Sequence, residues 1–408
     1  MQVPCVKCKG KNPKQNCGRS YCPITAKAHA RVASVKDIKQ DFQSAAPNIF
    51  VGRVNYPNLD VGLLSPNDTT DASLHDAPRV WSGNNYDINQ IINLRSALVN
   101  SKFVANVRAT NRFVEIAQEI GMASKPVDIE VNLKDKPRFS LSTNPYTLPM
   151  GPNASLVKAT VTSNPHIDRP VDKVVSDTDF KSVDAISQLY TRGYDENFLT
   201  KILSAGNLGV KMQRRMVPTR WSITAVDDIL AKQIIEEVKY NDKVEHSAYF
   251  GSYLGNYFLV MFFPGVWSYE LFETYMPESS FNVSKEYTFT TDYEPYSGRT
   301  TYAENCAGGY YASRLPALEK LKEIKKQGSV LVIRIISSEY YCPLGVFVVR
   351  EATRKSMQSK PINFASRDLM LNYATLLVKR KFGYDISEIL RSSILLKQMK
   401  EQKKLWEF

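Results

Sequence analysis

Apolar residues in this chain arrive in short bursts. The longest run, Tyr257 to Pro264, has the length of a strand, and around it β-branched runs interleave with stretches of helical spacing. That interleaving constrains the fold most, and it predicts a mixed α+β protein. No stretch reaches the ~18 consecutive apolar residues of a bilayer span. At 408 residues, 43% hydrophobic and 23% charged, the chain is long and apolar enough to bury a sizeable core, which excludes a disordered protein.

Individual elements follow from period and punctuation. Pro47 to Leu64 reads as strand, turn, strand, with Gly52, Pro57 and Gly62 between β-branched residues. Helical spacing predicts helices over Ile91 to Val107 and Asn111 to Ile120, while Val127 to Leu133 alternates as a half-buried strand. Pro137 to Pro152 is turn-rich. A helix carrying Val183, Ile186 and Tyr190 is expected next, then Glu196 to Ala205 ended by Gly206, then Ile229 to Lys239. Tyr249 to Pro264 and Gly265 to Phe272 read as paired strands, with Gly251 and Gly255 marking close approaches. After a helix over Leu315 to Gln327, the runs Val330 to Ile336 and Val346 to Arg350 read as two buried strands; charges at Arg334, Glu339, Arg350 and Glu351 must pair or line a cleft. Ser366 to Lys381 is helical and stops at Gly383, and Asp385 with Glu388 has the spacing of a capping box for a last helix whose inward face is Ile386, Ile389, Leu390 and Ile394. The expected organisation is a small N-terminal module (1–36), a large mixed α/β core (37–365), a helical C-terminal region (366–397) and a short peptide tail (398–408).

Four of the six cysteines, Cys5, Cys8, Cys17 and Cys22, fall in the pattern C-x2-C-x8-C-x4-C. Two thiolate pairs joined by a short loop can close a tetrahedron around zinc, with Gly10, Pro13 and Gly18 supplying the turns. Residues 1–24 hold too few large apolar side chains for a core of their own, so metal binding and folding of the segment would be one event. A closed four-sulfur site is structural; an iron–sulfur cluster is the alternative metal. Cys306 and Cys342 stand alone and read as small buried hydrophobes.

Lys and Arg number 53 against 41 Asp and Glu, and from Met1 to Lys36 there are eight basic residues and no acidic one. A basic arm of this kind suits phosphate contacts. Five of those eight cations lie within the first 19 residues, where a signal peptide would need apolar ones, so the reading is cytoplasmic with no membrane association. The densest polar run, Asn164 to Ser182, carries His166, Asp168, Asp172, Asp177 and Asp179. These residues suit a second metal of unknown identity or acid–base work on a phosphate ester; the alternative is a charged surface loop in which Asp177 or Asp179 caps a helix. In Gln213 to Asp228, the forked donors Arg214, Arg215 and Arg220 suit phosphate and Trp221 can stack on a base, with Asp227 and Asp228 close in sequence as further acid–base candidates. On the other reading Trp221 is core and Ser222 to Asp228 caps the helix that follows. No phosphate-binding loop, nucleophile elbow, zinc-protease motif or dinucleotide fingerprint occurs.

The chain finishes KQMKEQKKLWEF, a polar stretch with apolar side chains at its tip. Gln402, Leu405 and Phe408 have the spacing Q-x-x-L-x-x-F, which resembles the PIP box that docks into the sliding clamp PCNA. One helical turn would set Leu405 and Phe408 side by side as hydrophobic plugs. The full motif has a second aromatic after Phe408, a part that Trp406 would take in this sequence.

Taken together, CVKCKG and CGRSYCPI at the start, NIFVGRVNYPNLDVG, DAPRVW, NPHIDRPVDKVVSDTDFKS, VPTRWSITAVDD and YYCPLGVFVVRE resemble, in order and along nearly the whole chain, the archaeal Nre family of DNA repair proteins. The resemblance implies a cytoplasmic factor in DNA damage repair, with a four-cysteine zinc motif (Cys5, Cys8, Cys17 and Cys22) and a clamp-binding tail (Gln402, Leu405 and Phe408). It carries no reaction with it. Three functions remain on this reading: a DNA-binding repair factor recruited to PCNA; a nuclease or phosphodiesterase using His166, Asp168, Asp172, Arg220, Asp227 or Asp228; and a zinc-stabilised adaptor without affinity for nucleic acid.

Overall fold

The computed structural model describes residues 15–16, 22, 38–67, 70–139, 151–277, 279–282 and 284–401. Among them the chain is mixed α and β and divides into two compact units: residues up to Leu230 with Cys342–Leu344, and Ala231–Tyr341 with the residues from Gly345 onward. The segment 37–365 runs through both. Cys5, Cys8, Cys17 and the tail from Gln402 to Phe408 lie outside the described residues; Cys22 is buried.

The first unit is built on strands β1 (Asp41–Ala46), β2 (Asn48–Val51), β3 (Asn58–Pro66), β4 (Leu98–Asn106), β5 (Val127–Leu133) and β6 (Asn153–Val161) in the order β1-β5-β6-β4-β3-β2. All neighbours are antiparallel except β4 and β6. Its helices are α1 (Pro78–Gly83), α2 (Ile88–Ala97), α3 (Arg112–Met122), α4 (Arg169–Ser176), α5 (Ser182–Thr191) and α6 (Glu196–Ser204), and the boundary between units falls inside α7 (Thr219–Val238). The alternation of β5 buries Val127, Ile129, Val131 and Leu133 in one core cluster with Ile116, Ala117 and Ile120 of α3. Each such aliphatic is worth roughly 1.5–3 kcal/mol when fully withdrawn from water. Asn111 starts α3 by accepting from the amides of Phe113 and Val114, both at 3.1 Å.

Several expectations are corrected in this unit. The helix read over Ile91 to Val107 ends at Ala97, because Leu98 onward lies in register against β3 from Pro66↔Leu98 to Asn58↔Asn106. Neither Asp177 nor Asp179 caps the start of the helix that follows. Asp177 follows α4 and accepts from the Asp179 amide, and the α5 N-terminus at Lys181 has no side-chain cap. The inward face of α5 is Ala185, Ile186 and Leu189, whereas Val183 is exposed. Most consequentially, α7 starts ten residues before Ile229, at Thr219 directly after Pro218, so Ser222 to Asp228 are helix interior. Trp221 is 47% exposed and is no core residue.

The second unit has β8 (Ser247–Tyr253), β9 (Asn256–Phe263), β10 (Ser268–Tyr275), β11 (Thr288–Glu294), β13 (Ser329–Ile336) and β14 (Ile362–Asn363) in the order β11-β10-β13-β9-β8-β14, with β7 (Asp242–Lys243) pairing β12 (Lys326–Gln327) separately. Every residue of β13 is buried, as its continuous apolar run foretold. Its one charge, Arg334, stands opposite Glu273 of β10, to which it is ion-paired, and also donates to Asn256 Oδ1 of β9. Glu339 accepts from the Tyr257 hydroxyl at 2.8 Å. Cys306 is buried, and burial raises its thiol pKa well above the ordinary value, as befits an inert packing residue.

Helices α8 (Gly308–Glu323), α9 (Phe347–Gln358), α10 (Arg367–Phe382), α11 (Ser387–Ser392) and α12 (Ile394–Glu401) complete the unit. Val346 to Arg350, expected as a strand, opens α9 instead. Packing overrides β-propensity there: a Cβ on Gly251 of β8 would meet Ser356 Cα at 2.7 Å, so the helix backbone rides directly on the sheet. Gly255 likewise admits Tyr340, as expected. The helix read over Leu315 to Gln327 is shifted, running from Gly308 to Glu323. Asp385 and Glu388 form no capping box, since Asp385 Oδ1 turns onto the amide and hydroxyl of Ser387. The break at Ser393 then buries Leu395 and Leu396 and leaves Ile394 exposed.

Candidate nucleic-acid interface

Three segments of the first unit converge at one end of its sheet. The Thr219 hydroxyl at the start of α7 accepts from the Val51 amide at the end of β2 (2.9 Å). Val107, just past β4, donates its amide to the carbonyl of Pro57 (2.9 Å) and accepts at its own carbonyl from the Met216 amide (2.8 Å). The β2–β3 turn, the residues after β4 and the approach to α7 are thereby stitched together through backbone. Gly206 makes room for this: at φ +80° its α-hydrogen faces the Arg215 and Met216 backbone, and a Cβ there would lie within 2.7–2.9 Å of it.

This stitching brings four exposed arginines to the same neighbourhood: Arg53 in the turn, Arg108 next to Val107, Arg215 next to Met216, and Arg220 in the first turn of α7. Among the described residues none of the four has an ion-pair partner. In the same neighbourhood Tyr56 and Trp221 lie with ring centroids 5.5 Å apart and planes inclined at 46°, exposed by 45% and 47%. Arg214 is placed differently. Its Nε donates to the Gly209 carbonyl at 2.7 Å and its Nη2 to the Asp177 carbonyl at 3.0 Å, so its guanidinium holds the loop that precedes α7.

The polar run gives a second, separate cluster. The Ser124 hydroxyl lies 2.9 Å from His166 Nδ1 and 3.1 Å from Asp168 Oδ1; the Tyr194 hydroxyl donates to Asp168 Oδ2 at 2.9 Å. Burial first, and the Asp168 carboxylate second, push the Tyr194 hydroxyl up to about 12. Serine, histidine and aspartate meet here, but not as a relay: the same ring nitrogen faces both the hydroxyl and, at 3.4 Å, the carboxylate. A nucleophile triad needs the imidazole to bridge the two through different nitrogens. With the Ser124 amide also donating to the His166 carbonyl (2.9 Å), the cluster fastens the segment before α4 to the turn before β5.

The candidates for acid–base chemistry therefore fall into groups. His166 and Asp168 come together; Asp172 is exposed on α4; Arg220 stands with Trp221, while Asp227, further along α7, is buried and Asp228 half-buried. Among the described residues no group of three or more His, Cys, Asp or Glu is arranged to hold a metal ion. Tyr56, Arg53 and Arg108 were not singled out from sequence. The signal available was the pairing of Arg and Tyr inside the turn VGRVNYPN, a place where an aromatic has no core to enter.

Comparison with known proteins gives consistent matches along the chain. Residues 16–282 match the family described as archaeal Nre, N-terminal, and residues 294–408 match archaeal Nre, C-terminal. The chain is 35% identical over 407 residues to DNA repair protein NreB of Archaeoglobus fulgidus, covering 100% of both. It is 38% identical over 389 residues to DNA repair protein NreA of the same organism (93% of this chain, 95% of the relative) and 38% identical over 329 residues to DNA repair protein NreA of Haloferax volcanii (78% of each). No solved structure matches. Among the described residues no helix is long and apolar enough to cross a membrane. The chain belongs to the archaeal Nre family.

Proposed function

We propose that this chain is a DNA repair factor that binds DNA through the arginine face of its first unit and is brought to the PCNA sliding clamp by Gln402, Leu405, Trp406 and Phe408. The observation that carries the repair role is the alignment, end to end, with a DNA repair protein. The unpaired arginines Arg53, Arg108, Arg215 and Arg220 support DNA contact, since guanidinium groups left without carboxylates suit phosphates. For the tail, support comes from the Q-x-x-L-x-x-F spacing directly after α12, a helix whose first turn is held by the Glu270 carboxylate. An anchored helix ahead of a short motif restricts the volume the motif explores.

Zinc is proposed for Cys5, Cys8, Cys17 and Cys22. Four thiolates in two close pairs match its tetrahedral preference, and the metal would fold the head rather than do chemistry. Two measurements test the proposal. Deleting 402–408 should abolish capture of the chain by immobilised PCNA, and elemental analysis should find about one zinc per chain, lost on replacing Cys5 and Cys8 together. Undiminished capture would refute the tail's role, and metal-free protein the zinc.

A further inference from the structure

We infer that Tyr56 and Trp221 form a base-stacking shelf and that the DNA this chain binds there is single-stranded; the inference rests on the DNA-binding reading above. Two large aromatics that leave nearly half their surface in water, at 45% and 47% exposure, sit side by side amid cationic side chains. Neither ring has a core to enter. Tyr56 projects from a turn, and Trp221 lies in the first turn of a helix pinned by Thr219 to β2.

The geometry decides how a base would be held. With centroids 5.5 Å apart and planes inclined at 46°, the rings already touch. A base slotted between them would need a gap of about 7 Å, twice the ~3.4 Å rise of stacked bases. Each ring therefore offers its outer face, and two successive bases would lie along the shelf rather than inside a clamp. A duplex cannot use such a surface, because its base faces are covered by one another and only edges reach its grooves. An unpaired strand can, since every base has a free face once unstacked.

The charges fit the same occupant. Arg53 shares the turn with Tyr56 and Arg108 is brought near it by the Val107–Pro57 hydrogen bond, while Arg220 precedes Trp221 in the chain and Arg215 precedes Met216, which is bonded to Val107. Exposed cations close to exposed rings are the composition of sequence-tolerant single-strand sites, in which the arginines would meet the strand's phosphates. Stacking would carry the strand preference and the arginines the salt dependence.

The test uses the full chain with a labelled oligo-dT and a labelled duplex of equal length, read by fluorescence anisotropy across a salt series. Trp221→Ala and Tyr56→Ala should each weaken oligo-dT binding by roughly fivefold or more with an unchanged salt slope, and leave duplex binding as it was. Trp221→Phe should restore most of the loss. Arg53→Gln should instead lower the slope of log affinity against log salt by about 0.7. If both alanine variants bind oligo-dT as wild type does, or if duplex is preferred, the shelf is refuted while DNA binding stands. If wild type binds neither DNA at low salt, the DNA-binding reading fails and the shelf with it.

Discussion

Lys201 on α6 carries a test of how the first unit is held together. Its side chain is buried, and its ammonium donates to the Ala123 carbonyl at 2.8 Å and the Pro47 carbonyl at 3.3 Å and lies 5.3 Å from the Phe198 ring centroid. Burial depresses its pKa from 10.5 to about 8, against the weaker opposing pull of Asp76 and Asp195. The sign follows from proton counting. Between those two values the unfolded chain holds a proton that the folded chain has released, so stability increases with pH and is lost again as pH falls through the folded value. Worked between about pH 7.5 and about pH 10, the linkage amounts to about 2 kcal/mol. Lys201→Met keeps most of the side-chain volume and cannot titrate. Denaturant unfolding of both proteins at the two pH values should show wild type gaining that about 2 kcal/mol on the variant as pH rises, other titrations cancelling in the difference. A gap between the two proteins that stays constant with pH would refute the buried, depressed lysine.

Two further perturbations probe the second unit. Glu270 of β10 accepts from the Ser393 hydroxyl and from the amides of Ile394 (3.0 Å) and Leu395 (3.1 Å), which ties the start of α12 to the sheet. Glu270→Ala should cost roughly 2 kcal/mol or more and strip hydrogen-exchange protection from the amides of α12 while β13 stays protected; an undisturbed α12 would contradict it. Glu273→Ala should destabilise by roughly 3–5 kcal/mol in thermal or denaturant unfolding, because it leaves the guanidinium of Arg334 buried without its counter-charge. Replacing Glu273 and Arg334 together by apolar residues should cost far less than Glu273→Ala alone, and equal losses would count against the pairing.

How much of this was legible in sequence depends on the range of the determining contact. Val127 to Leu133 and Val330 to Ile336 declared themselves because their burial follows directly from period and continuity. The ends of α10 did too: Ser366 accepts from the Leu369 amide and Gly383 takes the left-handed conformation, both local chemistry. Val346 to Arg350 misled because five residues are too few to separate a buried helix turn from a strand, and what settles it is the distant Gly251 against Ser356. Leu98 failed similarly, since its strand exists by pairing with β3.

The candidate interface shows the same division. Trp221, Arg215 and Arg220 share one segment and could be read as stacking and phosphate groups from composition alone. Their neighbours could not. Tyr56 meets Trp221 only because Thr219 anchors α7 to Val51, and Arg108 joins only because Val107 bridges Pro57 and Met216. Arg214 makes the point in reverse: chemically identical to Arg215 and adjacent to it, it is held by the carbonyls of Gly209 and Asp177, while Arg215 stays exposed. Residue type therefore nominates a phosphate contact, and backbone carbonyls in search of donors decide which nominees remain available for it.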